Sequence, residues 1–271
     1  MTLRLIDTFS GIGGFSYAAE QLVGGYETVA FVECNPFCRS VLQNHWPAVP
    51  IFDDIATYTP EMGSADVICG GFPCQDISNA GRKAGIRQGT RSGLFYEFMR
   101  VVSLVRPRYI VLENVSAIVS RGLDIVLGEI SQAGFNAEWA VIPARDLGAC
   151  HKRSRWWLVA YANGLRSPGP DLSLSALHGC DERSKAGMGG RQIFRSQPRT
   201  AWQAWDKPLS PNWRAYVSKP ALPRGDDGLS NRVDRVKSLG NAVVPQVAAV
   251  PLMRVKHLAM QQMLHESREA A

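Results

Sequence analysis

Apolar and polar positions alternate in blocks along the first 162 residues. Strand-like runs stand at 3–9 (LRLIDTF), 27–33 (ETVAFVE), 65–71 (ADVICGG), 108–114 (RYIVLEN), 137–143 (AEWAVIP) and 155–162 (RWWLVAYA). Helical spacing lies between several of them, at 14–22, 36–44, 95–105 and 122–133. Strands alternating with helices predict an α/β fold with a largely parallel sheet and helices on both faces. In such sheets ligands bind at the carboxyl ends of the strands.

The pattern breaks near Asn163. Residues 163–234 hold seven of the sixteen prolines, eight glycines and three of the seven tryptophans (Trp202, Trp205, Trp213). Eleven Lys/Arg stand there against seven Asp/Glu, so most of the chain's net charge of +6 sits in this stretch. Periodicity is poor, yet the tryptophans argue against a disordered composition. The stretch reads as a small, irregular, inserted domain. Regularity returns at SLGNAVVPQVAAVPLMRVKHLAMQQML, where 245–264 reads as a helix opening at Pro245. Pro251 is expected to kink this helix or to mark its true start, and the last residues to fray. The resulting division is a sheet domain from 1–162 and 235–271, interrupted by 163–234.

Composition narrows the class. With 271 residues, 45% hydrophobic and 20% charged, the chain can bury a sizeable core. No apolar run approaches the roughly 20 residues that span a membrane. The N-terminus, MTLRLIDTFSG, lacks a signal-peptide layout, so the expected setting is cytoplasmic. A pI of about 9.1 suits a polyanionic partner. The six cysteines (34, 38, 69, 74, 150 and 180) form no CxxC pair and no zinc-finger spacing, so they are expected as free thiols with no metal.

Two stretches carry candidate chemistry. DTFSGIGGFSYAAE (7–20) is a strand, a glycine-rich turn and a helix; Gly11, Gly13 and Gly14 let backbone approach a ligand. The second strand ends at Glu33, where an acid can take both hydroxyls of a ribose. Asp54, with Asp53 as a competitor, suits an adenine amino group. Together these residues point to an adenosine-containing cofactor. The second stretch is GGFPCQ (70–75), which sets a thiol behind a rigid proline where a buried strand should end.

Six motifs in order resemble the cytosine-C5 DNA methyltransferases: DTFSGIGGF, GGFPCQDISNAGR (70–82), GLFYEFMRVV (93–102), LENV (112–115), HKRSRWWLVAY (151–161) and LGNAVVPQVA (239–248). The resemblance implies a doubly wound, mostly parallel, Rossmann-like domain dependent on S-adenosylmethionine. Phe9, Gly11, Gly13, Gly14, Glu33, Asp54, Ile55, Leu94 and Asn241 would hold that cofactor. Cys74 would be the nucleophile, fixed by Pro73: a thiolate adding to cytosine C6 makes C5 nucleophilic. Glu113 would hold a proton for N3, and Arg155 would bind O2. Arg153 is left between a direct catalytic role and a structural or phosphate contact. The loop after Cys74 would close on a flipped-out base, with Ser78, Arg82, Lys83, Arg87 and Arg91 as candidate DNA contacts. The insert 163–234 would be the target-recognition domain. The implied partner is double-stranded DNA, acted on by a monomer, with a cognate restriction endonuclease as a possible companion. One branch of the family modifies tRNA, which is the alternative substrate; a catalytically silent DNA-binding homologue is the other alternative reading. The chain departs from the pattern at His151, in the place of a Gln, and at Cys34, in the place of an aromatic. A shortened segment at 228–241 is a third departure.

Overall fold

The computed structural model describes residues 1–73, 93–149, 151–163, 194–196 and 232–269. Among them, β1 (Leu3–Thr8), β2 (Tyr26–Val32), β3 (Ile51–Phe52), β4 (Val67–Gly70), β5 (Tyr109–Val115), β6 (Phe135–Pro143), β7 (Ser154–Ala162) and β8 (Phe194–Ser196) form one sheet. The strand order is β3-β2-β1-β4-β5-β7-β6-β8. The pairs from β3 through to β5 are parallel. β7 runs antiparallel to both its neighbours, β5 and β6. β8 joins β6 in parallel, so only β7 is reversed among the described strands. The mostly parallel, doubly wound fold expected from the pattern is present, and β8 draws three residues of the inserted stretch onto the edge of the sheet.

The helices are α1 (Gly14–Tyr17), α2 (Pro36–His45), α3 (Leu94–Val105), α4 (Ile118–Arg121), α5 (Leu123–Gln132), α6 (Arg232–Asn241) and α7 (Pro245–Glu269). They cover the sheet on both faces, as the burial of its strands requires. Alternation along β5 divides the core. Tyr109 and Val111 join Phe15, Trp157 and the buried face of α7. Ile110 and Leu112 join Phe95, Phe98 and Val126 from α3 and α5.

Three expectations change. The helix expected at 14–22 is α-helical only through Tyr17 and continues as a π-helix, Ala18–Val23. Glu20 on that wider turn accepts from Thr28 N (2.9 Å) and from Trp46 Nε1 (2.8 Å), tying it to β2 and to the end of α2. The last helix opens at Pro245, as the pattern predicts, but runs through Pro251 and past the expected 264 to Glu269. Tertiary bonds support it there: Tyr26 OH donates to the Leu252 carbonyl (2.6 Å), and Lys256 Nζ caps the Val23 and Gly24 carbonyls. The third change is α6, which the apolar pattern does not predict.

Arg254 on α7 meets Glu138 on β6 through two bonds, Nη2 to Oε1 (2.7 Å) and Nε to Oε2 (3.1 Å). The side chains are only 16% and 6% exposed. Removing one member strands a buried charge. R254M should therefore cost about 3 kcal/mol in urea unfolding; unchanged stability would show that the pair does not anchor the helix.

Candidate active site

The carboxyl edge of the sheet collects the motif residues. At the end of β1 the chain turns sharply. Phe9 (φ 52°), Gly11 (φ 55°) and Gly13 (φ 84°) all take left-handed conformations. Ser10 Oγ donates to the Asp7 carbonyl (2.6 Å), and its backbone N–H donates to the Val32 carbonyl (3.2 Å). The three glycines do different work. A Cβ on Gly11 would meet nothing within 4 Å, so backbone is open to a ligand there. A Cβ on Gly13 would strike the Trp46 ring at 2.6 Å, and one on Gly14 the Val243 carbonyl at 2.8 Å. Those two glycines permit close packing of α2 and of the 240–243 segment.

Glu33 stands at the end of β2, 9% exposed. Its Oε2 accepts from Gly11 N (2.8 Å) and its Oε1 from Asn35 N (2.7 Å). The carboxylate thus fixes both the loop and the cap of α2, where Asn35 Oδ1 accepts from Phe37 N and Cys38 N ahead of Pro36. Asp54 is exposed and accepts from Ala56 N (2.9 Å). Ile55 is buried, and Leu94, the first residue of α3, packs on the same core cluster as Phe9 and Ile55. An acid on the second strand, an open glycine and apolar walls fit an adenosine-bearing group.

Asp7 lies fully buried under this loop. Its Oδ2 accepts from Ser16 Oγ (2.8 Å) and Ser16 N (3.3 Å), while Oδ1 has no partner. Burial pushes its carboxyl up to about 7, against the pull of the Ser16 bonds. Burial likewise holds the Cys69 thiol well above its ordinary value, so this cysteine is core and no nucleophile.

Glu113 and Arg155 are brought together by the reversed strand. In the β5–β7 register Glu113 faces Trp157 and Val115 faces Arg155, so the acid and the arginine are diagonal neighbours on one face. Arg155 Nε lies 2.9 Å from Glu113 Oε1. The other oxygen, Oε2, sits where a Cβ on Gly71 would come within 3.1 Å. Glu113 therefore lies over the GGFPC segment. Its side chain is 14% exposed. Burial pushes its carboxyl from 4.5 to about 7, although Arg155 and then Arg153 pull it down.

Asn114, to which the sequence pattern assigns no role, fixes that segment from the opposite face. Its Nδ2 donates to the Phe72 carbonyl (3.1 Å), and its Oδ1 accepts from Val115 N (2.8 Å). Phe72 is buried and Pro73 half-buried, so the chain is held up to the residue before Cys74. Cys74, Ser78, Arg82, Lys83, Arg87 and Arg91 lie outside the described residues, as does most of the insert. Arg153 donates to the Gly240 (3.0 Å) and Ala242 (2.8 Å) carbonyls, on either side of Asn241. A cleft of about 470 Å³ opens beside it, walled by Ile12, Gly13, Tyr17, Trp46, Val243 and Val244. Gly13 and Gly14 line this cleft, whereas Glu33, Asp54, Ile55 and Leu94 do not.

The model of the C-5 cytosine-specific DNA methylase family matches residues 3–185. Among curated proteins, the chain is similar to the type II methyltransferase M2.BsuMI of Bacillus subtilis (33% identity over 166 residues, 58% of this chain and 42% of that protein). It is also similar to the type II methyltransferase M.HhaI of Haemophilus parahaemolyticus (29% over 167 residues, 60% and 50%). The chain spans about half the length of the curated relatives it matches. Among solved structures, the Dnmt2 methyltransferase of S. pombe shares the fold at a TM-score of 0.50 and 22% identity, over 60% of this chain and 50% of that one. The EhMeth methyltransferase of Entamoeba histolytica does so at 0.52 and 14%, over 62% and 55%. With a family model covering two thirds of its length, the chain belongs to the C-5 cytosine-specific DNA methylases.

Proposed function

We propose that the protein transfers a methyl group to C5 of a cytosine flipped out of double-stranded DNA. The observation that carries this reading is Glu113. It is an acid with a pKa of about 7, held by Arg155 and lying over Gly71, three residues before Cys74. A carboxyl that keeps its proton at neutral pH is what attack on a cytosine ring requires, because protonation at N3 lowers the cost of adding a nucleophile at C6.

Each residue then has a task. The Cys74 thiolate adds to C6, and the electron pair of the C5–C6 double bond becomes available at C5. Glu113 holds the N3 proton during addition, and Arg155 orients the acid and binds O2. S-adenosylmethionine, held by Gly11, Glu33, Asp54, Ile55, Leu94 and Asn241, supplies the electrophilic methyl group. Loss of the C5 proton to a base then re-forms the C5–C6 double bond and expels Cys74 as the thiolate. Asn114 keeps the segment before Cys74 in place through Phe72. Target recognition falls to 163–234, and phosphate contacts to the basic loop after Cys74.

Expression with a plasmid in cells lacking 5-methylcytosine, followed by bisulfite sequencing, tests the reaction. Methylation at one recurring short sequence, lost in C74A, is expected; folded protein that leaves DNA unmodified overturns the reading. E113Q should lower the single-turnover rate by about 100-fold or more. It should also abolish the fall in rate above neutral pH, because the wild-type acid loses its proton as the pH rises through about 7. The same shift governs stability. With its pKa raised on folding, Glu113 contributes stability that is whole below 4.5 and is lost as the pH passes about 7. Wild type should therefore lose more stability than E113Q in urea unfolding between about pH 5 and about pH 8.5; parallel curves would remove the raised pKa from the account. G71A, whose methyl would press on Glu113 Oε2, should lower kcat by about tenfold or more, and an unchanged kcat would detach Glu113 from that backbone.

A further inference from the structure

Arg153 is the member of the HKRSR stretch whose contacts lead away from Glu113. Its guanidinium donates through Nη1 to the Gly240 carbonyl and through Nη2 to the Ala242 carbonyl, at 3.0 and 2.8 Å. Gly240 lies in the last turn of α6, where carbonyls lack partners within the helix and the helix dipole favours a cation. The Ser238 carbonyl in the same turn is satisfied by Ala242 N (2.8 Å). One planar fork thus spans the helix end and the residue beyond it, and Asn241 sits between the two bonded carbonyls.

The backbone of Arg153 is itself constrained. Its φ is +24°, a value few side-chain-bearing residues adopt, which persists only where the surroundings dictate it. Ala144 N, just past β6, donates to both the Lys152 and Arg153 carbonyls (2.9 and 3.3 Å) and holds this turn at the entrance to β7. On the far side of the bonded segment, Val243 lies so close to Gly14 that a Cβ there would fall 2.8 Å from the Val243 carbonyl. The order in space is therefore β7 entrance, Arg153, the 240–243 segment, then the glycine loop.

We propose that Arg153 is a positioning residue for the cofactor end of the site. Its guanidinium sets how the 240–243 segment, with Asn241, lies against the glycine loop, and it does not contact the target base. The proposal rests on the methyltransferase reading above. Arg153 and Arg155, two residues apart, then divide the labour: Arg155 serves the acid and the base, and Arg153 serves the cofactor. Lysine cannot take over the role, since a point charge on a flexible stem does not bridge two carbonyls as a planar fork does.

Isothermal titration of S-adenosylmethionine into full-length wild type, R153M and R153K, without DNA, tests this directly. R153M should weaken binding by about tenfold or more, and R153K by a smaller factor, with amide exchange in the 240–244 peptides faster in both. R254M controls for loosened packing of α7: it should lower Tm and leave cofactor affinity within about twofold. Loss of Arg153 should also move the alkaline limb of the pH–rate profile upward, because its charge lowers the Glu113 carboxyl. R153M or R153K that binds S-adenosylmethionine as wild type does, while losing turnover on DNA, overturns the proposal and returns Arg153 to the substrate. Should R153M fail to fold, R153K decides between the two roles by the same two measurements. Wild type that binds no S-adenosylmethionine overturns the methyltransferase reading, and this proposal with it; wild type that binds, with an indifferent R153M, overturns only the role given to Arg153.

Discussion

The reversal of β7 is the constraint on which the site depends. A parallel strand beside β5 would bring its own carboxyl end to the site edge and put its amino end at the opposite edge. Because β7 runs the other way, its first residues arrive where β5 ends, and Arg155 meets Glu113 at 2.9 Å. The same reversal places Arg153 at that edge, within reach of the α6 terminus. An arginine pair from the start of one strand and an acid from the end of another can converge only in this arrangement. β8 and β6, both parallel to β5, leave β7 as the single exception among the described strands.

Burial then decides the chemistry that the convergence allows. An acid beside an arginine would ordinarily sit below its usual range, as a salt-bridged carboxylate does. Here the loss of solvent outweighs two guanidinium groups, and the Glu113 carboxyl stays near neutrality. The balance suits a group that must hold a proton in one step and remain attached to a cation throughout. Asp7 shows the same desolvation without an arginine, but its oxygens face Ser16 and the core, so its raised value leads to no substrate. Position, more than the shift alone, separates an acid at the edge of the site from one that fastens a loop.

Much of this was legible in the sequence because it is local. The six expected strands match observed ones to within two residues at each end, since their apolar runs are short and bounded by turns. Glu33 could be singled out by its place at a strand end, and Glu113 and Arg155 by the ordered motifs that resemble the family. What escaped depends on contacts between distant segments. α6 has a polar face and Leu239 and Val233 exposed, so its pattern resembles a loop. The π-helical stretch at Ala18–Val23 is tied by Glu20 to Thr28 and Trp46, which no helical periodicity reveals. Asn114 looks like any strand-end amide until the Phe72 carbonyl is found under it.

The glycine loop shows why local reading stops where it does. In sequence Gly11, Gly13 and Gly14 are equivalent, each able to admit a ligand. In space, of the three only Gly11 has room for a Cβ, while one on Gly13 would strike the Trp46 ring and one on Gly14 the Val243 carbonyl. Those two partners come from about 30 and about 230 residues further along the chain, and bringing ends so far apart together carries an entropic cost that grows with the logarithm of the separation. The anchors of α7 offset it: the Arg254–Glu138 pair, Tyr26 on Leu252, and Lys256 on the π-helical turn. Two of the three attach to the stretch just after the glycine loop, from Ala18 to Tyr26. The return of the C-terminal segment is thus fixed to the same element whose N-terminal loop it completes.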